Sequence, residues 1–187
     1  MIAPSYRYAR PDDAASLHDL IERCYRGDEI AKEWASESAI LKGPRTSRAE
    51  IAALLADPAC RFLVAEDQGR IVGCALLERR GADAYFGMFS IEPRVQEVGL
   101  GKSVLARAEQ EVRELWGARA MTLVVISLRE ALIAWYERRG YARTGAIYPF
   151  PFGPTTGEVR RDFHLVELRK LLGAPAPGPA NDGAAVP

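Results

Sequence analysis

Residues 89–110, FSIEPRVQEVGLGKSVLARAEQ, constrain the fold more than any other stretch of the chain. An apolar segment ends at Pro93, two glycines follow at 99 and 101, and Leu100, Val104, Leu105, Ala108, Val112 and Leu115 then recur at helical intervals. Gly117 is suited to end that helix in the left-handed conformation. The stretch is therefore a strand-to-helix junction. The first N–H groups of a helix have no internal partner and face outward with the positive end of the helix dipole, so glycines that admit close main-chain approach make such a junction an anion site.

Its centre, GLGKS, resembles the end of a triphosphate-binding loop, but that loop needs a glycine five positions before Gly101, where Gln96 stands. The later apolar run MTLVVI also lacks a terminal aspartate to hold magnesium. A dinucleotide fingerprint would need glycine where Val104 stands. Gln/Arg-x-x-Gly-x-Gly/Ala does fit, at Gln96, Gly99 and Gly101. Glycine makes up about 7% of ordinary sequences, so the pattern alone has little specificity. Arg70, Gly73 and Ala75 match it too, but inside an apolar run with no helix after it to present free amides.

The remaining chain reads as an α/β layer with a mostly antiparallel first half. SYRYA forms a first strand, and Pro11, Asp12 and Asp13 open a helix whose apolar face is Ala14, Leu17, Leu20, Ile21 and Cys24. From Tyr25 to Thr46, including Trp34, no clean period emerges, which predicts an ordered but irregular loop or short helical turns. Ser47 with Glu50 three residues on predicts a capping box for a second helix that stops before Pro58. RFLVAE and RIVGCALLE flank the turn DQG as a hairpin, and AYFGMFSI follows as a third strand. The continuous run MTLVVI predicts a strand covered on both faces. A last helix spans 128–139 and ends at Gly140, and YARTGAIY and RRDFHLVEL supply two closing strands.

Lysine plus arginine equal aspartate plus glutamate at 25 each, so no global field recruits nucleic acid or an anionic membrane, and any anion site is local. No run approaches the roughly 18 apolar residues of a membrane span, and the start lacks a leader pattern, so a cytoplasmic protein is expected. Cys24, Cys60, Cys74, His18 and His164 show no paired ligand spacing, and no metal is expected.

With these elements in order, the chain resembles the GNAT superfamily of acetyl-coenzyme A-dependent N-acetyltransferases over about residues 5–172. FSIEPRVQEVGLGKSVL resembles the family's strand, turn, glycine loop and helix, REALIAWYERRGY its tyrosine-bearing helix, and YARPDDAASLHDLIERCYRG its first strand and helix. The resemblance implies a mixed, mostly antiparallel central sheet flanked by helices, with the fourth and fifth strands splayed around the pantetheine arm. It implies that Phe89, Ser90 and Ile91 contact pantetheine through main chain, and that Gln96, Glu97, Val98, Gly99, Leu100, Gly101, Lys102 and Ser103 form the pyrophosphate loop. Lys102 is as well suited to a solvated helix position. Tyr136 matches the tyrosine that protonates the departing thiolate, or is an aromatic on the helix's core face. Arg129 stands where many members place an asparagine that bonds pantetheine.

The expected reaction is acetyl transfer from acetyl-coenzyme A to an amine by direct attack in a ternary complex. A silent acyl-coenzyme A-binding or sensor module is the alternative; a triphosphate binder survives only through GKS. Asp83, Glu92, Glu33 and Glu37 are candidate bases, each also suited to a surface position, and a water-mediated route is favoured. The 25–46 loop and YPFPFGPTTGE are expected to wall the acceptor pocket. Residues 1–172 form the expected domain, compatible with a homodimer, and 173–187 a disordered Pro/Ala/Gly-rich tail.

Overall fold

A computed structural model of the chain describes residues 4–27, 37–93 and 99–173. In chain order the elements are β1 (Ser5–Tyr8), a short 3-10 turn (Pro11–Asp13), α1 (Ala14–Arg26), α2 (Arg48–Ala56), β2 (Cys60–Asp67), β3 (Arg70–Arg80), β4 (Asp83–Ile91), α3 (Leu100–Trp116), β5 (Ala120–Ile126), α4 (Glu130–Glu137), β6 (Ala142–Pro149) and β7 (His164–Leu171). The strands form one seven-stranded sheet in the order β1-β2-β3-β4-β5-β7-β6. Every pairing is antiparallel except β4 with β5. The expected tail from 174 onward and the loop residues 28–36, Glu33 and Trp34 among them, lie outside the described residues.

Local chemistry accounts for most element ends. Ser47 caps α2 by accepting from the Glu50 amide at 3.1 Å. The capping box is not reciprocal, because the Glu50 carboxylate accepts instead from the Thr46 hydroxyl at 2.8 Å. The β2–β3 turn places Gln68 at φ 47° and Gly69 at φ 75°, two consecutive left-handed residues of the kind that match strand twist. Gly99 (φ 77°) and Gly117 (φ 60°) bracket α3. α4 is shorter than its sequence pattern: Arg129 at φ −93°, ψ 56° holds Leu128 out of the helix, and the chain turns after Glu137 towards Gly140.

Two apolar layers cover the sheet. On one face α1 and α2 set Leu17, Leu20, Ile21 and Ile51 against Phe62, Val64 and Leu76. On the other, α3 and α4 set Val104, Leu105, Ala108, Ile133 and Tyr136 against Leu63, Leu77, Phe86, Met121 and Leu123. β4 changes phase between these layers. Its register against β3 passes from Leu76↔Gly87 to Cys74↔Ser90, one residue more on β4 than on β3, and Met88 takes φ 46°. The bulge moves the α3-facing positions from even numbers, Ala84 and Phe86, to odd ones, Phe89 and Ile91, and turns Met88 to the opposite layer. β4 and β5 pair only at Ala84↔Met121 and Tyr85↔Thr122. Beyond that point they diverge.

A third, smaller cluster joins Leu41, Ile126 and Phe163 with Phe150 and Phe152. It ties together two loops distant in sequence. Lys42 and Gly43 donate to the carbonyls of Gly157 and Thr156 at 2.8 and 3.0 Å, and Val159 donates to Ile40 at 2.9 Å. A Cβ on Gly43 would lie 1.8 Å from the Thr155 carbonyl oxygen, so only glycine permits this approach. Gly43→Ala is expected to part the two loops at a cost of about 1–3 kcal/mol, read as a lower urea midpoint and faster amide exchange at Lys42. An unchanged midpoint would show that the loops are not held at this contact.

Candidate active site

Where β4 and β5 separate, their facing edges exchange no ladder pairs, and a cavity of about 290 Å³ opens between them. Residues 85–89 of β4 form one wall and residues 123–126 of β5 the other, with Leu132 and Tyr136 of α4 behind them. Tyr25, Glu37, Arg45, Phe150 and Pro151 close the remaining side. Chain that would otherwise have continued a parallel ladder thus surrounds a space with mixed apolar and polar lining.

Tyr136 is only 4% exposed. Its ring makes edge contacts with Trp135 and Tyr141, at centroid distances of 5.0 and 5.6 Å. Among the described residues nothing hydrogen-bonds its hydroxyl, and the oxygen keeps access to the cavity. Burial holds this phenol well above the ordinary range, with Tyr25 adding to the effect, so it stays protonated at any ordinary pH. Tyr25 is likewise pushed up to about 12 by burial, and Tyr85 is raised for the same reason. The cavity therefore carries phenols that donate rather than phenolates that accept.

The ionic groups are organised around Glu37, itself 7% exposed. Arg26 donates to its Oε2 at 2.9 Å and Arg129 to its Oε1 at 3.1 Å, so each carboxylate oxygen holds a guanidinium. Arg26 also donates to the Gly43 carbonyl at 2.5 Å, and the Glu37 amide donates to Tyr25 O at 2.9 Å, which joins the end of α1 to the loop. Arg45 lies over the Tyr25 ring at 5.1 Å. Its amide and that of Thr46 both donate to Glu22 Oε1, at 2.7 and 2.8 Å.

At the outer end of β4 the start of α3 packs closely on the sheet. A Cβ on Gly101 would sit 3.4 Å from the Phe89 ring and 3.7 Å from Trp135, a fit that alanine also satisfies. Among the described residues the first intrahelical bond is Ser103 N–H to the Gly99 carbonyl at 3.2 Å, and the amides of Leu100, Gly101 and Lys102 stand before it. Leu100 is buried and Lys102 exposed. The Ser103 hydroxyl accepts from Tyr6 at 2.6 Å, fixing the helix start to β1. Phe89 stacks between Phe86 and Trp135, buried Ser90 donates to the Met88 carbonyl at 3.2 Å, and the Ile91 carbonyl accepts from Cys24 at 3.2 Å. Gln96, Glu97 and Val98 lie outside the described residues.

Of the sequence-derived candidates, Tyr136, Phe89, Arg129 and Glu37 come together at the cavity. Asp83 pairs with Arg169 at 2.9 Å and Glu92 with Arg23 at 3.0 Å, and neither lines it. Neither histidine does. Arg45 and Tyr85 do, neither singled out from the sequence: Arg45 belongs to the 25–46 loop expected as a pocket wall, and Tyr85 to a strand whose facing the bulge determines. Among the described residues no three of His, Cys, Asp and Glu gather as a metal site would require.

A search of the curated proteins finds a similar one, the IAA acetyltransferase of Azospirillum brasilense, 32% identical over 102 residues, which are 54% of this chain and 63% of that protein. The match thus spans less than two thirds of that relative. Among solved structures, the ribosomal-protein-S18-alanine N-acetyltransferase from Escherichia coli superposes with TM-score 0.70 at 15% identity, over 95% of this chain and 99% of that one. yncA from Salmonella typhimurium, a putative acetyltransferase solved with its cofactor acetyl-CoA, superposes with TM-score 0.68 at 20% identity, over 95% and 99%. At those identities the structures establish the fold, with its seven strands and parallel β4–β5 contact. The sequence model of the Acetyltransferase (GNAT) family matches residues 15–141, from α1 past the tyrosine of α4, and on that match the chain belongs to the GNAT acetyltransferase family.

Proposed function

We propose that the protein transfers the acetyl group of acetyl-coenzyme A to an amine by direct attack within a ternary complex. The observation that carries this reading is the Tyr136 hydroxyl, protonated and without a hydrogen-bond partner among the described residues, in the cavity between β4 and β5. A core aromatic would not need its oxygen there. Two proteins of the same fold, the ribosomal-protein-S18-alanine N-acetyltransferase and a spermidine N-acetyltransferase, support it.

Coenzyme A would lie with its pyrophosphate on the amides at the start of α3 and its pantetheine arm along β4 beside Phe89, Ser90 and Ile91. Gly99 to Ser103, with Gln96, Glu97 and Val98 before them, form the pyrophosphate loop in this reading. Arg129 stands at the asparagine's place in sequence, with Nη1 on Glu37 and its side chain at the cavity, and in this reading it replaces the asparagine as a contact of the pantetheine arm. The amine nitrogen attacks the thioester carbon, the C–S bond breaks, the Tyr136 hydroxyl passes its proton to the departing sulfur, and the proton the nitrogen releases to water is matched by one that water returns to Tyr136. Glu37 is a poor acceptor of that proton, since either oxygen would give up an arginine to take it. Cys24, Cys60 and Cys74 are buried and none lines the cavity, which favours direct attack over an acyl-enzyme.

Gly99 tests the coenzyme half. In the protein alone a Cβ there meets nothing within 4 Å, while φ 77° disfavours most side chains. Gly99→Asn tolerates the left-handed conformation, so it is expected to melt near wild type yet bind acetyl-coenzyme A more weakly by about 1–3 kcal/mol, measured by calorimetry. Unchanged affinity in the folded variant would remove the pyrophosphate from this loop.

Tyr136→Phe tests the chemistry. With ring packing kept and the proton lost, kcat is expected to fall roughly 10²-fold or more with coenzyme affinity unchanged. Because the phenol is raised, its protonated form persists as pH rises, and wild-type kcat should show no alkaline loss below about pH 10. Wild-type turnover in Tyr136→Phe would make Tyr136 a packing residue. A wild type that binds the coenzyme but releases no thiol with any amine would favour the silent binding module.

A further inference from the structure

Among the described residues, two arginines line the cavity, Arg45 and Arg129. Arg129 is paired with Glu37, and so is Arg26 behind it, which leaves that carboxylate fully engaged. Arg45 is different. Among the described residues its guanidinium takes part in no close ion pair or hydrogen bond; it stacks on the face of Tyr25, and the charges of Glu37 and Glu50 reach it only from farther away. An arginine remains charged at any working pH and presents five donors in a planar fork. Stacking on an aromatic ring orients that fork but satisfies none of its donors.

Its position is also defined. Glu22 holds the main chain at Arg45 and Thr46, and the 40–43 segment is bonded to 156–159, so the side chain projects from an anchored strand of loop. It lies near Tyr85, at the start of β4, whereas the α3 amides stand beyond the end of that strand. The coenzyme's phosphates in the reading above are therefore not its partner. Among the described residues that line the cavity, the charged side chains are Arg45, Arg129 and Glu37, one positive charge in excess.

We infer that the acceptor is a compact amine that also carries a carboxylate, an amino acid in the broad sense, whose carboxylate pairs with Arg45 while its amine points towards Tyr136. Tyr25, Tyr85 and Phe150 supply apolar surface for the remainder. This rests on the acetyltransferase reading for the word acceptor, though the carboxylate site itself does not require turnover.

The test is a panel of α-, β- and γ-amino acids, each set against the amine that lacks only its carboxylate, with coenzyme A thiol release as readout. Wild type is expected to favour at least one amino acid over its partner amine by more than tenfold in kcat/KM. Arg45→Gln should erase that preference by raising KM roughly 10²-fold, with acetyl-coenzyme A affinity and melting temperature held. Arg45→Lys should keep part of it. Amines turned over as well as their amino acids, or a preference that survives in Arg45→Gln, would overturn the inference. If no amine releases thiol, the acetyltransferase reading fails first, and calorimetry with N-acetyl amino acids against the corresponding acetylated amines in the presence of coenzyme A decides the site. Carboxylate-dependent binding lost in Arg45→Gln upholds it, and equal binding of the two kinds overturns it.

Discussion

One additional residue in β4, accommodated by Met88 at φ 46°, separates the two halves of the sheet. An ordinary side chain in the left-handed region is strained, and a bulge leaves a residue without a ladder partner. Both costs are met by packing, since Met88 fills the layer under α1 while Phe89 and Ile91 are re-aimed at α3. β4 and β5 cease to pair after Tyr85 and Thr122, just before the phase change, and the re-aimed residues lie along the cavity that opens there. The seat of α3 on Phe89 follows from that irregularity.

The ionic half of the cavity obeys a different constraint. Removing charges from water is expensive, and an ion pair in a protein interior seldom returns more than its desolvation cost. The Arg26–Glu37–Arg129 cluster is better understood as a positioning device. It joins the end of α1, the following loop and the entry to α4, elements that share little apolar contact of their own. Arg45 stacks on Tyr25 and forms no close ion pair with that cluster.

Much of this was legible in the sequence because it follows from short-range rules. The α3 junction, the Ser47 cap, the Gln68–Gly69 turn and the doubly covered β5 each depend on a few adjacent residues, and each was found as expected. What escaped depends on relations across the chain. The reach of α4 was overestimated because Arg129 takes its conformation where Glu37 draws it, and Glu37 lies 92 residues away. Whether Tyr85 faced core or cavity turned on a bulge three residues downstream that no composition rule marks. The loops at 40–43 and 156–159 were each expected at the pocket, but nothing local to either announces that they bond to one another.

That union has a further consequence. The cluster of Leu41, Ile126, Phe150, Phe152 and Phe163 is separate from the two layers that hold the sheet, so the wall it supports has its own free energy of opening, below that of global unfolding. Because main chain joins the two loops across Gly43, they lift together as one panel rather than as independent strands of chain. The two sides of the cavity are thus held by different means, sheet and helix layers behind β4 and β5, and a small aromatic cluster with three main-chain bonds on this side.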